Sequence, residues 1–128
     1  MGDRGNIVVR QAPKTNRDDV WFYGHWSGYQ LEETVRTALA RNARWDDPSY
    51  LARIIFNDFQ GDNRGETGFG ISTTIGDNSY PIIVVDQPGK MVRTVNEDDL
   101  IDGRLPDDIS GFPGVEFKTF AVSANAPT

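Results

Sequence analysis

Apolar positions along the chain fall into short runs separated by turn residues, and the spacing within each run predicts its element. Ile7-Val8-Val9-Arg10-Gln11 is β-branched and reads as a strand. The stretch from Ala12 to Asp19 carries Pro, Asn and Asp and reads as a loop. Val20 to Trp26 is a second, aromatic strand, hairpinned to the first. Its alternation puts Val20, Phe22 and Trp26 on one face and Trp21, Tyr23 and His25 on the other. The period then changes. Leu31, Val35, Ala38 and Leu39 share one helical face, Glu32 and Glu33 sit early as the helix dipole prefers, and Asn42 can end the helix. Asp47-Pro48 supplies an N-cap followed by a proline at the first helical position. Leu51, Ile54, Ile55 and Phe59 form the buried stripe of this second helix, and Gly61 is its C-cap.

Beyond a glycine-bearing loop over 62–68, Phe69 to Ile75 reads as a strand and Gly76-Asp77-Asn78-Ser79 as a turn. Pro81 to Val85 is continuously apolar, the pattern of a central strand buried on both faces. Gln87-Pro88-Gly89-Lys90 fits a type II turn that returns the chain into a strand over Met91 to Val95. Asn96 to Asp108 is rich in Asp and Glu and reads as a solvated acidic loop. Val115 to Val122 alternates as a last strand, and 123–128 is a flexible tail. The fold class expected is α+β: a single domain over 1–122, with an antiparallel sheet of order ββααβββ plus a C-terminal strand. Two helices should cover one face.

Composition narrows what such a domain can do. Thirteen Lys and Arg against nineteen Asp and Glu give a net charge of −6, a poor match to the phosphate neutralisation that direct nucleic-acid binding needs. The absence of Cys excludes disulfides and thiolate metal sites, and a single His excludes a His-rich metal site, so no cofactor is expected. The opening residues carry no apolar stretch of signal-peptide length, and no run approaches a membrane span, so the expected compartment is the cytoplasm. Asn6 stands where a myristoylation signal wants Ser or Thr.

Candidate chemistry concentrates in one set of residues. Arg4, Tyr23, His25, Trp26, Arg44, Trp45 and Arg64 combine guanidinium groups with indole, phenol and imidazole rings. Arg beside Trp or Tyr holds planar or phosphorylated ligands by stacking and bidentate hydrogen bonds, and the same residue types form protein-interface hot spots. Ordinary core filling by the aromatics is the competing reading, and for His25 it is a packing role. Gly65-Glu66-Thr67-Gly68-Phe69-Gly70 looks like a phosphate loop but leads from a helix into a strand, the reverse of what such loops require. No nucleophile-elbow serine and no EF-hand spacing is present.

Met1-Gly2-Asp3-Arg4-Gly5-Asn6-Ile7, Tyr23-Gly24-His25-Trp26-Ser27-Gly28, Arg44-Trp45-Asp46-Asp47-Pro48 and Gly65 to Ser72 resemble a group of small bacteriophage and actinobacterial proteins. Those proteins open with a Met-Gly-x-Arg element and carry an aromatic strand ending in His-Trp. The group has no assigned activity, so the resemblance transfers no catalytic residue. It implies a phage-encoded or mobile-element accessory protein, a class that includes inhibitors of host defence.

The reading these residues favour is a non-catalytic protein that binds a host protein or a small anionic ligand, with homo-oligomerisation left open. Two alternatives stand beside it: a small hydrolase pairing His25 with Asp77 or Asp86, and a virion structural or assembly component. The site reading makes one geometric demand, that His25, Trp26, Arg44 and Trp45 line a single concavity with Arg4 or Arg64 at its rim.

Overall fold

The computed structural model describes residues 3–63, 65 and 67–122. In chain order its elements are β1 (Gly5–Arg10), β2 (Val20–Gly24), α1 (Leu31–Ala40), α2 (Pro48–Gln60), β3 (Phe69–Ser72), β4 (Ile82–Asp86), β5 (Met91–Val95), β6 (Gly114–Glu116) and α3 (Phe117–Val122). The architecture is α+β, built on a six-stranded sheet of order β3-β2-β1-β4-β5-β6.

The sheet is mixed, which corrects the antiparallel expectation. β1 runs parallel to β4, with Ile7 opposite Ile83 and Arg10 opposite Asp86, while every other neighbouring pair is antiparallel. The cause lies in residues 73–81. They include the expected turn at 76–79, but they carry the chain across the sheet so that β4 starts at the same end as β1. Asn6, fully buried in β1, holds this crossover. Its side-chain amide donates to the carbonyl of Asp77 at 3.1 Å and to Asn78 Oδ1 at 3.1 Å, and its Oδ1 accepts the Gly76 N–H at 2.9 Å. Ser79 N–H adds a backbone bond to the Arg4 carbonyl.

Both long helices form where the periodicity put them. The Asp47 carboxylate accepts the Tyr50 N–H at the start of α2, and Gly61 closes that helix with a left-handed φ of 58°. Leu31, Val35 and Leu39 of α1 and Leu51, Ile55 and Phe59 of α2 pack on Ile7, Val9, Phe22, Ile83 and Val85. The C-terminal segment departs from expectation. Only Gly114–Glu116 is strand, and Phe117–Val122 is a third helix whose Phe117, Phe120 and Ala121 join the same core. Those positions fit a helical i, i+3, i+4 pattern, which Phe120 breaks for an alternating strand, and the helix packs against α1.

The opposite face of the sheet has its own core. Val8, Trp21, Ile82, Val84 and Val95 are covered by Leu105 and Ile109, with Leu100, Phe112 and Ile75 at the margin. The acidic segment keeps its acids in solvent, as expected, but it is anchored to the sheet through the buried Leu105. Its Asp98, Asp102, Asp107 and Asp108 point outward, as charge requires; Leu105 turns fully inward and Leu100 partly, while Ile101 stays exposed. Arg10, 1% exposed, clamps this segment. Its Nε donates to Asp19 Oδ1 at 2.7 Å and Nη2 to Asp19 Oδ2 at 3.1 Å. The same guanidinium donates to the carbonyls of Pro106 at 2.8 Å and Asp107 at 2.6 Å. Burial pushes the Asp19 carboxyl above its ordinary value, against the pull of the Arg10 hydrogen bonds. Among the described residues no helix is long and apolar enough to cross a membrane.

Candidate functional site

The residues singled out in the sequence divide between the two ends of the sheet. Arg4 precedes β1, Tyr23 pairs with Asn6 near the start of β1, and His25 and Trp26 follow the end of β2. Arg44 and Trp45 lie at the other end, where Gln87, just beyond β4, donates its side-chain amide to the Trp45 carbonyl at 3.0 Å. A strand the length of β1 separates the two groups by roughly 17 Å. The single concavity demanded of His25, Trp26, Arg44 and Trp45 does not form. Arg64 lies outside the described residues.

At the first end the rings engage one another. Tyr23 Oη and His25 Nδ1 are 2.9 Å apart, and the His25 ring stands edge-on to Trp26 with centroids 4.9 Å apart. Trp26 covers the backbone of Gly68, where a Cβ would come within 2.4 Å of the indole. Arg4 makes a loose ion pair with Asp77 at 3.8 Å. The carboxylates proposed to serve His25 are committed elsewhere: Asp77 to Arg4, and Asp86 to Arg93 at 3.0 Å and to the Gly89 N–H, at the far end of the sheet.

The second end forms a cleft of about 490 Å³ where the α1–α2 connection, the β4–β5 turn and the junction of β6 with α3 meet. Trp45 forms its wall, half-buried and edge-on to Phe117 at 5.5 Å. The Trp45 indole N–H has no hydrogen-bond partner among the described residues. Arg44, Lys90 and Lys118 bring three positive charges and Asp46, Asp47 and Glu116 three negative ones. Lys90 Nζ pairs with Asp46 at 3.2 Å, and Asp47 is spent on capping α2. Arg44 lies over the Tyr50 ring at 4.7 Å, and neither it nor Lys118 forms an ion pair among the described residues.

Backbone conformation sets this cleft apart. Five described residues other than glycine have left-handed φ, and three of them line it: Asn42 at 50°, Arg44 at 62° and Lys90 at 55°. The β4–β5 turn differs from the type II expectation for the same reason, because the left-handed residue is Lys90 and not Gly89. Asp86 explains the shift: its carboxylate accepts the Gly89 N–H and lies 2.8 Å from where a Gly89 Cβ would stand. Sequence reading did not include Asn42, Lys90 or Lys118 in the site. No sequence signal marked Lys90, because Pro88-Gly89 points to Gly89 as the left-handed residue of the turn.

Comparison of the chain with protein-family models, with curated proteins and with solved structures returned no match.

Proposed function

We propose that the chain is a non-catalytic binding protein whose ligand is a small planar anion, an aromatic or heterocyclic ring bearing a carboxylate or phosphate, held in the cleft around Trp45. The observation that carries this reading is the convergence on one cleft of two residues that rarely take left-handed φ, Arg44 and Lys90, beside Asn42, whose left-handed φ ends α1 in the ordinary way. For Arg and Lys that conformation costs on the order of 1 kcal/mol each, and such strain persists where the surroundings over-determine it, most often at binding sites. Electrostatics support the same reading. The chain carries 13 positive against 19 negative side chains, yet the cleft balances three against three. With Asp46 and Asp47 committed, Arg44 and Lys118 meet an entering anion with Glu116 as the one uncommitted carboxylate. The cleft volume lies within the range of about 300–1,000 Å³ usual for small-molecule sites. The phage or mobile-element setting rests on the sequence resemblance and belongs to the proposal.

The test is mass spectrometry of small molecules released on denaturing the purified protein, joined to calorimetric titration with AMP, adenosine and inorganic phosphate. AMP should bind better than either fragment, since charge and ring act together. Arg44→Ala should weaken it about tenfold, the worth of one charge-assisted hydrogen bond. No released anion and no heat with any of the three probes would remove the basis for the proposal.

A further inference from the structure

β3 (Phe69–Ser72) is an edge of the sheet and, among the described residues, pairs with β2 alone. In its register Gly24 faces Phe69 and Phe22 faces Ile71, and the His25 N–H donates to the Gly68 carbonyl at 2.8 Å. An antiparallel ladder alternates its bonds, so the backbone groups of Gly68, Gly70 and Ser72 point at β2 and those of Phe69 and Ile71 point outward. Proteins usually blunt such an edge with charges, prolines or brevity. The opposite edge, β6, is treated in that way: it is three residues long, follows Pro113 and ends in Glu116. β3 is not. From Thr67 to Gly76 the sequence holds no charged residue and no proline, and the Ile71 side chain is 62% exposed.

We infer that the β3 edge is an interface between two copies of this chain, pairing antiparallel across a two-fold axis at Gly70. About that axis the outward N–H and C=O of Phe69 meet those of Ile71 in the other copy, and the reciprocal pair does the same. On the helix-covered face each Ile71 then lies directly opposite the second copy's Phe69, which covers its exposed side chain. At the centre glycine faces glycine, and a Cβ on Gly70 would touch nothing within 4 Å, so the space needed for close approach is open. Both halves of the match sit on one strand, so a second copy supplies what each edge lacks, and the contact closes at two.

Charge gives this dimer a signature. Each copy carries −6, so the two repel at a distance, while the edge itself is uncharged. Association should therefore tighten as salt rises, the opposite of docking on a basic partner. Sedimentation equilibrium from micromolar to millimolar protein, in about 0.1 M and about 1 M salt, tests this as the Debye length falls from about 10 Å to about 3 Å. The expected result is a concentration-dependent dimer that tightens several-fold at high salt. Ile71→Lys should leave it monomeric with an unchanged melting curve, and Val115→Lys on the other edge should leave it dimeric. A monomer under every condition, a dimer insensitive to Ile71→Lys, loss through Val115→Lys, or weakening with salt would each overturn the inference. The cleft is separate from this edge, so Arg44→Ala should still dimerise and Ile71→Lys should still bind AMP.

Discussion

Arg10→Met is the sharpest probe of how the acidic segment is held. Arg10 is 1% exposed and donates four hydrogen bonds, two to the Asp19 carboxylate and two to the Pro106 and Asp107 carbonyls. Methionine fills similar volume but donates nothing. Asp19, itself 3% exposed, is then left as a buried carboxylate with no cation beside it. Breaking a buried pair from one side costs about 3–5 kcal/mol. The two carbonyls add about 1 kcal/mol or more each unless water reaches them. A loss near 5 kcal/mol takes a large part of a typical domain stability of about 5–15 kcal/mol. The double variant Arg10→Met with Asp19→Leu removes the stranded charge and leaves only the carbonyls short. It should recover about half the loss, a coupling of at least about 2 kcal/mol in a double-mutant cycle by urea denaturation. Hydrogen exchange should show the backbone around Leu105 losing protection in the single variant. A single variant that loses less than about 1 kcal/mol, with Leu105 protection unchanged, would refute the clamp.

Three further outcomes follow from the same packing. Leu105→Ala should cost about 2–5 kcal/mol in thermal or chemical melts, because Leu105 is fully buried against the far-face core; a cost below about 1 kcal/mol would show that Leu105 does not anchor the acidic segment. Asn6→Ala should cost about 2 kcal/mol or more, since it strands the Gly76 N–H and releases the crossover, and exchange at Gly76 should rise most. Because burial holds the Asp19 carboxyl above its ordinary 3.8, the folded state binds the proton more tightly than the unfolded one. This contribution is complete below that ordinary value and is lost as pH rises through the raised one. The stability of the wild type relative to Asp19→Asn should therefore fall as pH rises through that window; a relative stability that grows with pH would show that the Arg10 pairing outweighs burial.

What the sequence made legible was local. The Asp47-Pro48 start and the Leu51, Ile55, Phe59 stripe define α2 without help from the rest of the chain. The apolar run Ile82-Ile83-Val84-Val85 is buried on both faces, as an unbroken apolar segment must be. The parallel pairing of β1 with β4 was not legible, because Gly76-Asp77-Asn78-Ser79 has the chemistry of a hairpin turn. Asn6 holds the crossover, but it stands just ahead of the β-branched run that begins at Ile7, and nothing in the sequence assigns it a partner across the sheet. In the acidic segment and just beyond it the charges masked Leu100, Leu105, Ile109 and Phe112, whose spacing follows no single period. The division of the aromatic and cationic residues was implicit in a prediction already made. A ten-residue helix between Trp26 and Trp45 carries the chain about 15 Å, so the two indoles belong to opposite ends of the sheet. Left-handed φ at Arg44 and Lys90 has no sequence signature, since the residues that adopt it readily are Gly and Asn.

The claim that the strained cleft is a ligand site is tested most directly by proton–nitrogen correlation spectra recorded through a titration with AMP. Saturable shifts should appear only at the Trp45 indole N–H and the backbone amides of Arg44, Lys90 and Lys118, with His25 and Gly70 unmoved. Shifts centred on His25 and Trp26, or none at any concentration, would contradict the claim.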